Sequence, residues 1–224
     1  TIIHEQNASL GIANRILSLL VDKVAVSFSE TKTLRSGCGK FVHTGYPLRA
    51  ALIKEDKEKA MGFFGLEDKF TILILGGSQG ANRINLEFRK ALELLKNRDD
   101  FQFIHLTGKA DYLTLRKAYE HVKIKCCIFE FLAQMNLAYS LADLVICRAG
   151  AGTIAELAYF AKPAILIPYP RAEGHQLKNA LTLLKQKAAV VIEEGALEGN
   201  LLYENILNML RPSSALGDLG KNIG

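Results

Sequence analysis

Residues 142–157 read ADLVICRAGAGTIAEL, and their punctuation decides the fold. Leu144, Val145, Ile146 and Cys147 form an unbroken apolar run, the pattern of a strand covered on both faces. Arg148-Ala149-Gly150-Ala151-Gly152 supplies a turn of small residues, and an amphipathic segment opens at Thr153. A second apolar run, PAILIP at 163–168, follows. Strand, glycine loop, helix and strand make a βαβ unit, and sheets of such units bind ligands at the carboxyl ends of their strands. The loop at 148–152 is where a ligand is expected.

Outward from this unit the pattern is regular. Strand-like runs fall at 70–75, 101–106, 124–129, 144–147, 164–167 and 188–192. Helix-like runs fall at 81–96, 111–121, 133–141, 153–161, 176–187 and 201–210. Six strands alternating with helices predict a parallel α/β sheet with right-handed crossovers. Upstream, short strands are expected at 1–3, 23–28 and 40–44, around one helical stretch at 10–20. That set is too small for a sheet covered on both sides, so residues 1–48 are expected to pack against further chain. The charged stretch IKEDKEKAMGFFG (53–65) reads as an exposed helix face, and the Gly/Ser-rich tail 212–224 as ending without a helix.

Composition narrows the function. The chain has 224 residues, 49% of them hydrophobic, enough for one or two domains with ordinary cores. No apolar run is long enough for a membrane-spanning helix. The start, Thr1-Ile2-Ile3-His4-Glu5, has neither an initiator Met nor the layout of a signal peptide, and it reads as the inside of a strand of a longer protein. The cysteines, Cys38, Cys126, Cys127 and Cys147, show no C-x-x-C spacing. Cys126 and Cys127 are neighbours on opposite strand faces, so neither a zinc site nor a disulfide framework is expected, and a reducing cytoplasm is the simplest home. The net charge of +5 suits an anionic ligand or membrane surface. Its scatter, without a basic run, argues against nucleic acid.

Four stretches and one arginine carry possible chemistry. Gly76-Gly77-Ser78-Gln79-Gly80 follows the strand at 70–75; its spacing is not the G-x-G-x-x-G dinucleotide fingerprint, and it reads either as a tight turn or as a phosphate cradle at a helix start. In Gly150-Ala151-Gly152-Thr153-Ile154-Ala155-Glu156, the T-x-x-E spacing is that of a capping box, which closes a helix start without any ligand. The alternative has the amides at 151–153 meeting a diphosphate while Glu156 accepts from a vicinal diol, as on a ribose. Tyr169–Gln176 lies on the same rim, with His175 and Gln176 suited to sugar hydroxyls or simply to water. His4-Glu5-Gln6-Asn7 follows another strand end, and Arg49, after the Gly45-Tyr46-Pro47 turn, reads as a surface ion-pair partner or a phosphate fork.

Taken in order, HEQNASLGIANR (4–15), TGYPLR (44–49), ILGGSQGANRIN (74–85), ADLVICRAGAGTIAELA (142–158) and AILIPYPRAEGHQLKNA (164–180) resemble the bacterial MurG glycosyltransferases, from residue 2 to about 190. The resemblance implies a GT-B fold, two Rossmann-like domains facing across a cleft. Residues 1–48 would be the end of the N-terminal, acceptor domain, and 49–224 a C-terminal domain for the UDP-sugar donor. The implied reaction transfers N-acetylglucosamine from UDP-N-acetylglucosamine to lipid I, giving lipid II for peptidoglycan, with inversion and with neither metal nor cofactor. The implied place is the cytoplasmic face of the plasma membrane, held peripherally on its anionic surface.

Carried over by position, Asn7, Arg49 and Ser78 would contact the donor, and the backbone of Leu132 in EFLAQM (130–135) would meet the uracil. Ala151, Gly152, Thr153, Ile154, Ala155 and Glu156 would line the diphosphate and ribose, and Gln176 would face the sugar with His175 beside it. The family's N-terminal glycine-rich loop, whose histidine is a candidate catalytic group, has no counterpart here, and this stretch alone is expected to be inactive. Tyr46 stands where the family usually has Asn. The competing readings are a non-catalytic nucleotide-sugar-binding subunit that needs a partner chain and, against the fused HEQN loop, a sugar-nucleotide epimerase.

Overall fold

The computed structural model describes residues 1–31, 39–77, 80–171 and 174–210. Ser78, Cys38 and the tail at 212–224 lie outside them. A three-stranded parallel sheet, in the order β1-β2-β3, is built from β1 (Ile2–Glu5), β2 (Lys23–Val26) and β3 (Phe41–His43), and α1 (Ile12–Leu17) connects the first two. It is thinly covered: Ile2, Ile12, Ile16, Leu19 and Leu20 are all exposed.

The second sheet has six parallel strands: β4 (Phe70–Leu75), β5 (Phe101–Leu106), β6 (Cys126–Phe129), β7 (Leu144–Cys147), β8 (Ala164–Leu166) and β9 (Ala189–Val191). Their order is β6-β5-β4-β7-β8-β9. The chain runs outward from β4 to β6, returns to the other side of β4, and runs outward again. The direction reverses between β4 and β7, which makes their carboxyl ends the topological switch point.

The strands are mostly apolar on both faces because helices cover both; Thr71, Gln102 and His105 are buried polar residues in β4 and β5. Ile72, Ile74, Leu144, Ile146, Ile165 and Ile167 face α3 (Asn82–Leu95), α4 (Tyr112–Tyr119) and α8 (Gly199–Leu210). Leu73, Leu75, Val145, Cys147, Ala164 and Leu166 face α2 (Lys57–Phe64), α5 (Met135–Leu141), α6 (Ala151–Phe160) and α7 (His175–Lys185). Cys126 and Cys127 fall on opposite sides, as the side-chain period of two requires. The charged stretch holds α2, capped by Asp56; the helix buries Ala60 and Phe64, packs Met61 partly against the core, and exposes its charged residues.

The capping box at Thr153 and Glu156 is overturned. Helix α6 starts at Ala151 with Gly150 in the N-cap position, and no side chain caps it. Small residues at 151 and 152 let the helix begin three residues, most of a turn, before the capping box would place it. Thr153 then lies inside the first turn, where its hydroxyl cannot serve as a cap, and Glu156 is free to turn sideways. Helix α8 likewise starts at Gly199, because the Gly199 N–H is taken by the buried Glu87 carboxylate of α3 at 2.9 Å.

Candidate functional site

On the β4 side of the switch point the chain doubles back too tightly for side chains. A Cβ on Gly76 would lie 2.2 Å from the Ala81 nitrogen. Gly80, at φ 76°, would place one 2.4 Å from the Thr107 carbonyl. That carbonyl is braced from the core. Asn85 donates to it at 2.8 Å and to Asp111 at 2.7 Å, and its amide oxygen faces Nε2 of His105 at 3.1 Å. The oxygen can only accept, so His105 carries its proton on Nε2, and its Nδ1 accepts a hydrogen bond from the Tyr119 hydroxyl, 3.1 Å away. Complete burial lowers the His105 pKa to about 3, so the ring stays neutral.

On the β7 side, helix geometry leaves the amides of Ala151, Gly152 and Thr153 without intrahelical acceptors; the first such bond runs from Ile154 to the Gly150 carbonyl. The Tyr46 hydroxyl lies 3.2 Å from where a Gly152 Cβ would stand, so the junction turn lies directly over this helix start. One turn further, Oε2 of Glu156 accepts from the Tyr139 hydroxyl at 2.8 Å, and Oε1 is 3.7 Å from the Arg49 guanidinium.

A third wall follows β8. Arg148 donates to the Ile167 carbonyl at 3.2 Å, pairs with Glu194, and lies over the Tyr169 ring at 5.2 Å. The three strand ends β7, β8 and β9 are thus tied by one guanidinium. The Tyr169 N–H in turn holds the Gln176 amide oxygen at 2.9 Å. His175, the first residue of α7, meets Ser9 Oγ through Nδ1 at 3.1 Å.

The loop after β1 closes the group. Glu5 accepts from the Asn7 and Gly11 backbone amides and from the Asn7 and Asn14 side chains. Burial alone would raise its pKa, but these hydrogen bonds outweigh it and hold the carboxyl below the ordinary carboxylate value. Glu5 is therefore a charged anchor for the loop. Asn7 is held between Glu5 and Asn179.

The structure thus brings Arg49 to Glu156 and Tyr46 over Gly152, and it joins Asn7 to Asn179 and Ser9 to His175. The side chains of Leu132 and Ile154 lie in the core. Ala151 and Ala155 line a cavity of about 340 Å³ together with Tyr46 and Leu183. Sequence reasoning missed Tyr139, Asn179 and Arg148. Arg148 and Asn179 stood inside quoted motifs, while nothing marked a tyrosine on an apolar helix face.

A family profile described as glycosyltransferase family 28 C-terminal domain matches residues 71–222. The chain belongs to that family. It is 39% identical over 225 residues to the UDP-N-acetylglucosamine--N-acetylmuramyl-(pentapeptide) pyrophosphoryl-undecaprenol N-acetylglucosamine transferase of Acetivibrio thermocellus, across 99% of this chain and 61% of that protein. The protein of the same name from Syntrophus aciditrophicus is 41% identical over 223 residues, across 98% and 60%. Among solved structures, MurG of Acinetobacter baumannii superposes with a TM-score of 0.79 at 28% identity, across 99% of this chain and 61% of that one. The family 28 chain described here therefore spans 60–61% of the length of these relatives. The match and the superposition bear out the MurG resemblance and the α/β GT-B fold it implied.

Proposed function

We propose that this chain binds UDP-N-acetylglucosamine at the switch point and serves in its transfer to lipid I, the undecaprenyl-diphosphate-linked acceptor, to give lipid II. Residues 49–224 act as the donor domain and residues 1–48 as the edge of the acceptor domain. The observation that carries this is the pair of glycine loops on either side of the switch point, with a helix start, Arg49 and a half-buried carboxylate, Glu156, arranged along one of them.

In this reading the diphosphate lies against the amides of Ala151, Gly152 and Thr153, with Arg49 beside it, and Ser78 is a donor contact carried over from the resemblance alone. Glu156 accepts from the ribose hydroxyls, the Leu132 backbone meets the uracil, and Gln176, His175 and Asn7 face the sugar. Asn7 has one amide N–H beyond its bond to Glu5 with which to do so. As the acceptor hydroxyl attacks C1 and gives its proton to a general base on the acceptor side, the bond from C1 to the diphosphate breaks and the configuration inverts. Negative charge grows on the leaving UDP, where fixed amide dipoles and a guanidinium stabilise it without having to reorganise. The basic chain then works on a lipid-linked acceptor as a peripheral protein at the cytoplasmic face of an anionic membrane; among the described residues no helix is long and apolar enough to cross one.

Calorimetry with UDP and UDP-N-acetylglucosamine, with GDP as the control, tests the donor site. Saturable uridine-selective binding is expected, and indifference between UDP and GDP would overturn the reading. Transfer of labelled N-acetylglucosamine to a lipid I analogue, by a protein carrying this chain with Arg49→Ala as the comparison, tests the reaction.

A further inference from the structure

We propose that Tyr139 is a positioning residue for diol recognition: its hydroxyl fixes the Glu156 carboxylate in the one orientation that presents Oε1 to the cleft. This rests on Glu156 being the ribose ligand. Tyr139 is fully buried in α5, and its ring stacks on Phe160 at 5.2 Å between centroids. Phe160 stands one turn after Glu156 on α6, so the tyrosine lies along that helix with its hydroxyl directed at the carboxylate. Burial first, and then the Glu156 charge, raise the phenol pKa, so the hydroxyl keeps its proton and donates. The two carboxylate oxygens are thereby made unequal. Oε2 is tied to the core at 2.8 Å, and Oε1 points towards Arg49 at 3.7 Å. A glutamate without that tie would have several rotamers to choose from and would lose that freedom on binding a diol.

A buried tyrosine hydroxyl needs a partner whatever its role, so stability alone cannot separate positioning from packing. The ratio of affinities for UDP and 2′,3′-dideoxy-UDP can, because each value refers to the same folded protein. Wild type should favour UDP by about tenfold or more, the worth of a charge-assisted hydrogen bond. In Tyr139→Phe the ratio should fall at least about threefold through weaker UDP binding alone. In a Glu156→Gln background the same change should leave the ratio where it was. A lower melting temperature with an unchanged ratio in Tyr139→Phe would reduce Tyr139 to a packing residue and overturn the proposal. A wild-type protein that binds both ligands equally would instead remove the ribose role of Glu156, and this inference with it.

Discussion

Asn179 donates a hydrogen bond from its side-chain amide to the side-chain oxygen of Asn7, 3.1 Å away and 172 positions earlier in the chain. Asn179 is fully buried. It also donates to the Ala149 carbonyl at 3.2 Å and accepts from the Ala8 amide at 2.8 Å. One side chain therefore fastens the loop after β1, the glycine loop after β7, and α7. Asn179→Ala leaves three polar groups unpaired, and each buried one costs about 1–3 kcal/mol. Urea unfolding should show a loss of about 2–4 kcal/mol. A loss below about 0.5 kcal/mol would mean that the seam is held elsewhere.

Glu156 and Thr153 separate the two roles that their spacing suggests. A true N-cap Thr contributes about 1 kcal/mol, whereas Thr153→Ala should change stability by less than about 0.5 kcal/mol, because α6 starts at Ala151. Glu156→Gln keeps an acceptor for Tyr139 and loses the charge. Calorimetry should show UDP binding weakened by about 10- to 150-fold, the worth of a charge-assisted hydrogen bond. An unchanged affinity would leave Glu156 as no more than a partner of Tyr139 and Arg49.

His105 gives the fold an acid sensitivity of definite sign. Its pKa is about 3 in the fold and near 6.5 in the unfolded chain, so between these values the unfolded state binds more protons. Its contribution is complete above about pH 6.5 and declines towards pH 3, by about 1.4 kcal/mol per pH unit at most. Between pH 7 and pH 5, wild type should lose about 2 kcal/mol more than His105→Gln in parallel urea titrations. Equal losses would show that the ring is protonated in the native state.

Diphosphate binding through amides and Arg49 should not depend on a divalent cation. EDTA should leave UDP affinity unchanged, and raising the salt concentration should weaken it, since Arg49 is largely exposed and its charge is screened. A loss on chelation that magnesium restores would contradict this arrangement.

The sequence by itself determined the sheet. Runs such as FTILIL (70–75) and LVIC (144–147) are apolar on both faces, and chain chirality leaves one sensible way to connect parallel strands of that kind. It also located the rim, because glycines at 76, 80, 150 and 152 mark where the backbone must turn or come close to something. Local spacing did not tell the true start of α6 from the T-x-x-E pattern two residues on, since both satisfy the same short-range rules. In the fold the helix starts at Ala151, with Tyr46 over Gly152 and the Glu156 carboxylate taken by the Tyr139 hydroxyl. Likewise, nothing near Asn179 in the chain foretells Asn7, nor anything near Arg148 its partner Glu194. Hydrophobic period is written residue by residue, but the pairing of buried polar groups is settled only when distant segments meet and each donor must find an acceptor.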